Sequence, residues 1–235
     1  MILDSVLDIF YPRRCPVCQD VVYPKGERVC PDCLKELSYV KDPYCLKCGK
    51  PLYESEREFC RDCAGKEREF DCGRSVYIYN DVIKNGIYNL KYGGRKEYAE
   101  FYGMEMAVRG RSFLKRVAPE ALIPVPLHKK RLIKRGYNQA KLLADKMGEL
   151  SGIPVISDLV IREKNTRAQK NLSEKDRQNN LKNAFKIVKN DVSLKTVMVV
   201  DDIYTTGSTM EAISQCLKES GVREVYYMVL SVAII

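Results

Sequence analysis

A short segment near the C-terminus combines acidic and hydroxyl side chains in a pattern that suits a phosphorylated sugar. The apolar residues 197–200 predict a buried strand, and Asp201 and Asp202 follow them directly. A hydroxyl-rich turn comes next, made of Thr205, Thr206, Gly207, Ser208 and Thr209. Backbone N–H groups at a helix N-terminus bind phosphate, and hydroxyl groups there add donors. Because two carboxylates would repel a bare polyphosphate, they favour ribose hydroxyls, or a Mg²⁺ ion bridging ribose and pyrophosphate.

The glycine in this turn also favours an anion site, because a residue without Cβ lets the backbone approach a ligand closely. The alternative is a plain strand, an Asp N-cap and a helix, with no ligand. That alternative does not explain two acids followed by four hydroxyl side chains within five residues, 205–209. Ligands of parallel α/β sheets bind beyond the carboxyl ends of the strands. The segment therefore predicts a site for a phosphorylated ribose.

Cysteine spacing is the second chemical signal. Eight of the 10 cysteines form four C-x-x-C pairs that start 15 residues apart. Each pair can present two thiolates to one tetrahedral ion, so two pairs complete a zinc site. Redox dithiols or disulfides are the alternative, but residues 1–4 lack a basic export signal and a reducing cytoplasm disfavours structural disulfides. We expect about two zinc ions per chain. The predicted ligands are Cys15, Cys18, Cys30, Cys33, Cys45, Cys48, Cys60 and Cys63.

The pairing of these ligands stays open at the level of sequence. Sequential pairing gives two stacked ribbons and follows from the repeat, whereas a cross-braced arrangement fits the same spacing. Cys72 is a conceivable substitute ligand, but we expect Cys72 and Cys216 to be core residues. A module of this size with few large apolar side chains depends on bound metal for its fold.

Two polar segments accompany these motifs. Five Lys and Arg residues and the only histidine follow a predicted strand at 121–125. The forked donors of arginine and the charge of lysine suit the oxygens of pyrophosphate. The alternative is a basic helix face in solvent, and we expect some of the lysines to lie in solvent in either case. Residues 165–182 are polar and without apolar period, which predicts a lid over the site; a linker or a nucleic-acid contact is the alternative.

The rest of the chain predicts a small module followed by an α/β domain. Residues 1–73 hold 12 Lys and Arg against 14 Asp and Glu, whereas residues 74–235 hold 28 against 17. Strands alternate with helices after residue 74, which favours a mainly parallel sheet with helices on both faces. We expect an apolar helix face within residues 2–10, a helix that Asp81 caps, one continuous helix over 97–114 and a short strand over 153–156. No run of 18 apolar residues exists, so we expect no membrane span.

The segment from Val197 to Thr209 resembles the phosphoribosyl pyrophosphate (PRPP) signature of type I phosphoribosyltransferases. The order of motifs along the whole chain is similar to that of the ComF family of competence-associated proteins. Besides the C-x-x-C pairs, the matching motifs are Leu90-Lys91-Tyr92, Pro124-Val125-Pro126-Leu127, Arg131 with Arg135-Gly136-Tyr137-Asn138-Gln139, Arg167 and Gln169 with Arg177 and Asn180 ahead of Ala184-Phe185, and Asp201-Asp202 with Thr205-Thr206-Gly207.

This resemblance implies a type I phosphoribosyltransferase-like fold, a double zinc ribbon in residues 1–73, and a PRPP site in residues 74–235. It implies that Asp201 and Asp202 hold ribose and that residues 205–209 hold the 5′-phosphate. The remaining implied PRPP-binding residues, facing pyrophosphate with Mg²⁺, are His128, Lys129, Arg131 and Arg135. It does not establish catalysis, since some members of the superfamily keep the PRPP site and act as regulators.

Three functions are therefore expected candidates. The first is a cytoplasmic PRPP-binding competence factor that contacts single-stranded DNA, and other competence proteins, through its basic surface and tyrosine stacking. The chain has 15 tyrosines, but they are scattered along the sequence. The second is a salvage phosphoribosyltransferase whose acceptor pocket lies near residues 81–95. The third is a zinc-ribbon adaptor with a degenerate second domain, which is the weakest because the signature is not eroded.

Overall fold

The computed structural model describes residues 12–54, 57–163, 184–188 and 193–234. The strands in this part of the chain are β1 (Gly73–Ile78), β2 (Ala121–Pro124), β3 (Val160–Arg162), β4 (Phe185–Ile187), β5 (Thr196–Tyr204) and β6 (Glu224–Val232). The helices are α1 (Pro31–Glu36), α2 (Asp81–Tyr92), α3 (Tyr98–Arg109), α4 (Arg111–Val117), α5 (Lys129–Arg135), α6 (Gln139–Ser151) and α7 (Ser208–Glu219). The predicted N-terminal apolar helix and the predicted lid at 165–182 lie outside the described residues.

Four strands form a parallel sheet in the order β1-β6-β5-β2, as the alternation of strands and helices predicts. β5 is central and pairs with β6 along its whole length, up to Tyr204 opposite Val232. On its other side it pairs with β2 only as far as Val200, which lies opposite Pro124. Strands β3 and β4 form a separate antiparallel pair. Beyond Val200, β5 is therefore uncovered on the side where β2 has ended.

Helices cover both faces of this sheet, because successive side chains of a strand point to opposite faces. On β5, Met198 and Val200 belong to one core cluster, together with residues of α3 and α6. Val197 and Val199 belong to the other, together with residues of α7. All four side chains are inaccessible to solvent. The predicted fold class, a parallel sheet with helices on both faces, is confirmed.

Three local predictions were inaccurate. The helix expected over 97–114 is divided at Gly110 into α3 and α4, and a Cβ at Gly110 would overlap the Met228 side chain of β6. Asn80, not Asp81, caps α2: its side-chain oxygen accepts a hydrogen bond from the Ile83 N–H at 3.2 Å. The strand expected over 153–156 is reduced to one bridge, which joins Val155 to β2.

The segment between the two groups of cysteines adds to the sheet. The Val40 N–H donates to the Val76 carbonyl at 2.9 Å, and the Ile78 N–H donates to the Ser38 carbonyl at 2.8 Å. Residues 38–40 therefore extend the edge at β1, so the cysteine-rich part is hydrogen-bonded to the sheet. We propose residues 1–73 and 74–235 as the two units of the chain. No helix in the described ranges is long and apolar enough to cross a membrane.

Candidate functional site

The two acids lie inside β5, since this strand continues to Tyr204 and does not end at Val200. Asp202 is only 3% exposed, whereas Asp201 is partly accessible. They follow the last residue of β5 that is covered by β2. The Asp202 N–H donates to Asp201 Oδ1 at 2.8 Å, which fixes the first carboxylate against the backbone. Both carboxylates thus lie at the uncovered part of the central strand, where ligands of parallel sheets bind.

A lysine from another element neutralises part of this charge. Lys91, near the end of α2, places Nζ 2.6 Å from Asp202 Oδ1. Burial disfavours the charged form of Lys91, but the Asp202 and Asp201 carboxylates outweigh it and raise the pKa of the lysine. The second oxygen of Asp202, Oδ2, is buried and accepts no hydrogen bond from the described residues. One carboxylate oxygen of the site therefore lacks a donor among the described residues.

Asp201 is poised between its two protonation states. Burial, followed by the neighbouring charge of Asp202, raises the pKa of Asp201 to about 7, while Lys91 opposes this shift. The lone carboxylate of a model peptide has a pKa near 4. Two adjacent acids that are sheltered from solvent therefore share Lys91 as their counter-charge. A shifted pKa of this kind is typical of functional sites and not of acids on an open surface.

The hydroxyl-rich turn joins β5 to α7 in the conformation that anion sites use. Gly207 has φ +83° and a Cβ there would overlap the Tyr204 hydroxyl, so only glycine fits without strain. Among the hydroxyl groups, Thr206 Oγ1 and Ser208 Oγ are 2.8 Å apart. Thr205 is exposed, Thr206 and Thr209 are partly exposed, and Ser208 is buried. No side chain caps the N-terminus of α7, so its first N–H groups remain available to an anion.

The basic segment after β2 forms helix α5. His128 caps this helix, and its Nδ1 accepts a hydrogen bond from the Lys130 N–H at 3.2 Å. No residue of α5 is buried, and Lys129 and Lys130 are exposed. Much of α5 is therefore a basic face in solvent, which was the alternative, and contact of this segment with pyrophosphate stays a prediction.

Arg131 of α5 interacts electrostatically with Arg162 of β3, and Arg162 interacts with Asp201. Burial lowers the pKa of Arg162, the positive charge of Arg131 lowers it further, and Asp201 acts in the opposite direction. Two neighbouring guanidinium groups beside a carboxylate make a locally cationic site next to the acids. Such a site suits pyrophosphate oxygens, which accept forked hydrogen bonds from arginine.

The eight cysteines gather into two groups of four, and sequential pairing is the arrangement found. Cys15, Cys18, Cys30 and Cys33 form one group, and Cys45, Cys48, Cys60 and Cys63 form the other; within each, all sulfur atoms lie within 4.8 Å of one another. The sulfur atoms of Cys48 and Cys60 are 3.6 Å apart. Tetrahedral zinc with Zn–S bonds of about 2.3 Å requires sulfur atoms separated by about 3.8 Å. Both groups therefore fit one zinc ion each.

Comparison with known proteins agrees with this division. A family model described as a double zinc ribbon domain matches residues 6–64. A second, described as a phosphoribosyl transferase domain, matches residues 132–231 and includes both acids and the turn after them. The chain is 34% identical over 223 residues to competence protein F of Haemophilus influenzae, covering 92% of this chain and 95% of that protein. The chain belongs to the ComF family.

Two further relatives support the assignment to the ComF family. Competence protein ComFC of Bacillus subtilis is 32% identical over 207 residues, covering 83% of this chain and 80% of that protein. The DNA utilization protein YhgH of Escherichia coli strain K12 is 31% identical over 180 residues, covering 75% of this chain and 78% of that protein. The similarity thus spans both the ribbons and the sheet of this ComF-family chain.

The second zinc group contacts the hydroxyl-rich turn of this ComF-family chain through two tyrosines. The Tyr227 hydroxyl donates to the Cys48 carbonyl at 2.8 Å. The Tyr204 ring stacks on Tyr227, with centroids 5.2 Å apart and planes inclined by 8°. Gly207 in turn lies against the Tyr204 hydroxyl. A continuous set of contacts therefore connects a zinc ligand residue to the turn.

The first zinc group packs against α3 and against α2, the helix that carries Lys91. The Tyr102 hydroxyl of α3 donates to the Pro16 carbonyl at 3.1 Å. On α2, Asn89 Nδ2 donates to Gln19 Oε1 at 2.9 Å. Each ribbon thus contacts a different element of the site. Cys72 and Cys216, which belong to neither group, are partly buried and pack against the two core clusters.

Sequence reasoning missed the roles of two residues, Lys91 and Arg162. Lys91 is part of the Leu90-Lys91-Tyr92 motif but was not placed in the site, and Arg162 lies just before the polar stretch at 165–182. Their partners lie far away in sequence, and no local spacing encodes such a pairing. Of the implied PRPP-binding residues, Asp201 and Asp202 lie in the C-terminal part of β5 and residues 205–209 follow in the turn before α7. Arg135 hydrogen-bonds to Gln139 of α6 and lies over the Tyr92 ring of α2.

Proposed function

We propose that this ComF-family chain binds PRPP and acts in natural competence, where it assists the handling of single-stranded DNA in the cytoplasm. The observation that carries the PRPP part is the meeting of three groups at one edge of the sheet: the two acids of β5, the uncapped N-terminus of α7 and the arginines near Asp201. Acids suit ribose hydroxyls, N–H groups suit a 5′-phosphate and arginines suit pyrophosphate.

Each group has a proposed role. Asp201 and Asp202 accept hydrogen bonds from the ribose hydroxyls, and the free Oδ2 of Asp202 supports this role. Residues 205–209 wrap the 5′-phosphate with their N–H and hydroxyl donors. The pyrophosphate faces His128, Lys129 and Arg131, and Arg135 lies at the outer end of the same helix. Mg²⁺, carried in with PRPP, neutralises pyrophosphate charge in this proposal.

The competence part rests on the relatives. Two of them are named competence proteins and a third is named a DNA utilization protein, and the similarity covers most of this chain. The basic excess of residues 74–235 supports a polyanionic partner such as single-stranded DNA. Other competence proteins are further proposed partners of the chain.

Calorimetric titration of PRPP with Mg²⁺ into the purified chain tests the site. We expect micromolar binding by the wild type and at least a roughly 100-fold loss in Asp201→Asn/Asp202→Asn, because hydrogen bonds to charged groups are worth about 1.5–3 kcal/mol each. Asp145→Asn is the control: Asp145 pairs with Lys141 on the surface of α6, at 2.7 Å, and its loss leaves the affinity unchanged. Absence of wild-type binding would refute the PRPP site.

The phosphoribosyl transferase match favours a second candidate, transfer of the phosphoribosyl group to a nitrogenous acceptor. In that reaction the bond from the anomeric carbon to pyrophosphate breaks and a bond to the acceptor nitrogen forms, while the site contributes position and charge stabilisation. Release of pyrophosphate from PRPP with one nucleobase and not with others supports the transferase. PRPP binding with no release for any nucleobase leaves the binding role as the function.

A further inference from the structure

Helix α2 carries two tyrosines on its solvent side. Its opposite side packs into the core through Ile83, Gly86, Ile87 and Leu90. Tyr88 and Tyr92, one turn apart, are 59% and 66% exposed. Their ring centroids are 5.2 Å apart and the planes are inclined by 50°. Two of the tyrosines that are scattered in the sequence therefore form an exposed aromatic pair. A single exposed aromatic residue is normal on a protein surface, whereas two in contact are typical of an interaction site.

One cation of α5 lies beside this pair, and two more lie on the same helix. The Arg135 guanidinium is 4.9 Å from the centroid of the Tyr92 ring. Lys130 and Lys134 are exposed and one turn apart, which places them on the same side of α5. A helix of seven residues is about 10 Å long, so the Cα atoms of both lysines lie within about that distance of the Arg135 Cα atom. The Tyr137 hydroxyl donates to the Leu90 carbonyl at 2.6 Å and holds the segment after α5 against α2.

We propose that Tyr88, Tyr92, Lys130, Lys134 and Arg135 form a binding surface for single-stranded DNA, here called the tyrosine platform. Bases stack on the two rings, and the cations contact the phosphates of the same strand. Stacking on aromatic side chains combined with a cationic path for the backbone is how proteins hold single strands without sequence preference. This proposal rests on the proposed role in single-stranded DNA handling and names the surface that performs it.

The shape of the platform favours a strand over other nucleic-acid ligands. Both rings lie on the outer surface of a helix, whereas a site for a free nucleobase encloses its ligand in a pocket. Duplex DNA hides the faces of its bases inside the stack, so an exposed aromatic pair has nothing to stack on there. Tyr88 and Tyr92 are separated by about 6 Å along the helix axis, which gives a strand two successive contacts.

Fluorescence anisotropy with a labelled oligonucleotide of about 16 thymidines, the upper end of small-domain site sizes, tests the platform. An abasic strand of equal length keeps the phosphates and removes the stacking. We expect the wild type to prefer the thymidine strand, and Tyr88→Ala/Tyr92→Ala to lose about 10- to 100-fold in affinity for it together with that preference. Tyr88→Phe/Tyr92→Phe keeps both, because stacking needs the ring and not the hydroxyl.

A second variant tests the cations separately. Lys130→Gln/Lys134→Gln should flatten the plot of log affinity against log salt by about 1.4, since each phosphate contact to a single strand contributes about 0.7 to the slope, and should keep the preference for thymidine. Tyr23→Ala is the matched control, because Tyr23 is 80% exposed on the first ribbon and outside the platform. Its affinity for the thymidine strand should equal that of the wild type.

The outcomes separate the platform from the function on which it rests. Wild-type binding that survives in Tyr88→Ala/Tyr92→Ala overturns the platform and leaves the DNA-handling proposal standing, with thermal unfolding confirming that the variant is folded. Failure of the wild type to bind any strand overturns both. Thymidine monophosphate that binds as tightly as the strand also overturns the platform, because the rings would then serve a nucleotide site.

Discussion

Lys91 Nζ lies 2.6 Å from Asp202 Oδ1, and this ion pair joins the end of α2 to the C-terminal part of β5. Asp202 is 3% exposed, so its carboxylate depends on Lys91 for neutralisation. The helix carrying Lys91 also carries the two tyrosines of the tyrosine platform and contacts the first zinc ribbon. The ion pair therefore links the sugar site that we propose to α2, which also carries the exposed tyrosines and contacts the first ribbon.

Lys91→Met should destabilise the protein by about 2–4 kcal/mol, because removing one partner of a buried pair leaves an uncompensated charge. Lys91→Met/Asp202→Asn should recover much of that loss, since it removes both charges. Urea unfolding measures the free energy of unfolding. Lys84→Met is the control: Lys84 pairs with the exposed Asp81 at 3.1 Å, and such surface pairs are worth less than about 1 kcal/mol. Equal effects of the two single variants would contradict this account.

Asp201→Asn should stabilise the protein in a pH-dependent way. The pKa of Asp201 is raised to about 7 in the folded chain, against about 4 when unfolded. The stability due to this group is therefore fully present below about pH 4 and is lost as the pH rises through about 7. The asparagine variant avoids that loss, so its advantage over wild type should be larger by on the order of 2 kcal/mol at about pH 8.5 than at about pH 5.5.

Urea unfolding without ligand at these two pH values measures the effect, and PRPP affinity should fall in the same variant. Asp145→Asn serves as a control that changes an acid on the surface of α6. An advantage of Asp201→Asn that does not change with pH would mean that the Asp201 carboxylate titrates normally. The expected combination, higher stability with lower affinity, is typical of charge held in place for a ligand.

Local spacing made the zinc ligands, the acid pair and the turn predictable, since each motif lies within a few residues along the chain. Apolar patterns predicted the parallel sheet for the same reason. The break at Gly110 depends on the Met228 side chain of β6, which is brought there only by the fold. The Lys91–Asp202 pair and the contact of Arg135 with Tyr92 also depend on packing. Sequence therefore predicted which groups do chemistry but not which residues neutralise or flank them.

Gly207→Ala should weaken PRPP binding by about 10-fold or more. A Cβ there would overlap the Tyr204 hydroxyl, and φ +83° disfavours any residue with a side chain, so the turn must shift. Gly152→Ala is the matched control, because Gly152 has φ +75° but open space around it, which limits the cost to the backbone conformation, about 1 kcal/mol. Titration of PRPP separates the two: unchanged affinity in Gly207→Ala would show that the turn does not hold the phosphate.

Loss of zinc from the second ribbon should weaken PRPP binding more than loss of zinc from the first. Cys60→Ser removes a ligand of the group whose Cys48 carbonyl holds Tyr227, and through Tyr204 that contact reaches the hydroxyl-rich turn. Cys30→Ser removes the equivalent ligand of the first group, which contacts α2 and α3 instead. Metal analysis should give about two zinc ions per wild-type chain and about one in either variant.

We expect PRPP affinity to fall about 10-fold or more in Cys60→Ser and by less than about 3-fold in Cys30→Ser, because only the second ribbon supports the turn itself. Both variants lose one zinc ion, so the comparison removes the general cost of an unfolded ribbon. Thermal unfolding monitored at the sheet shows whether the PRPP domain remains folded in each. A larger loss in Cys30→Ser would place the dominant support on α2 and Lys91, and would make the first ribbon the one that positions the site.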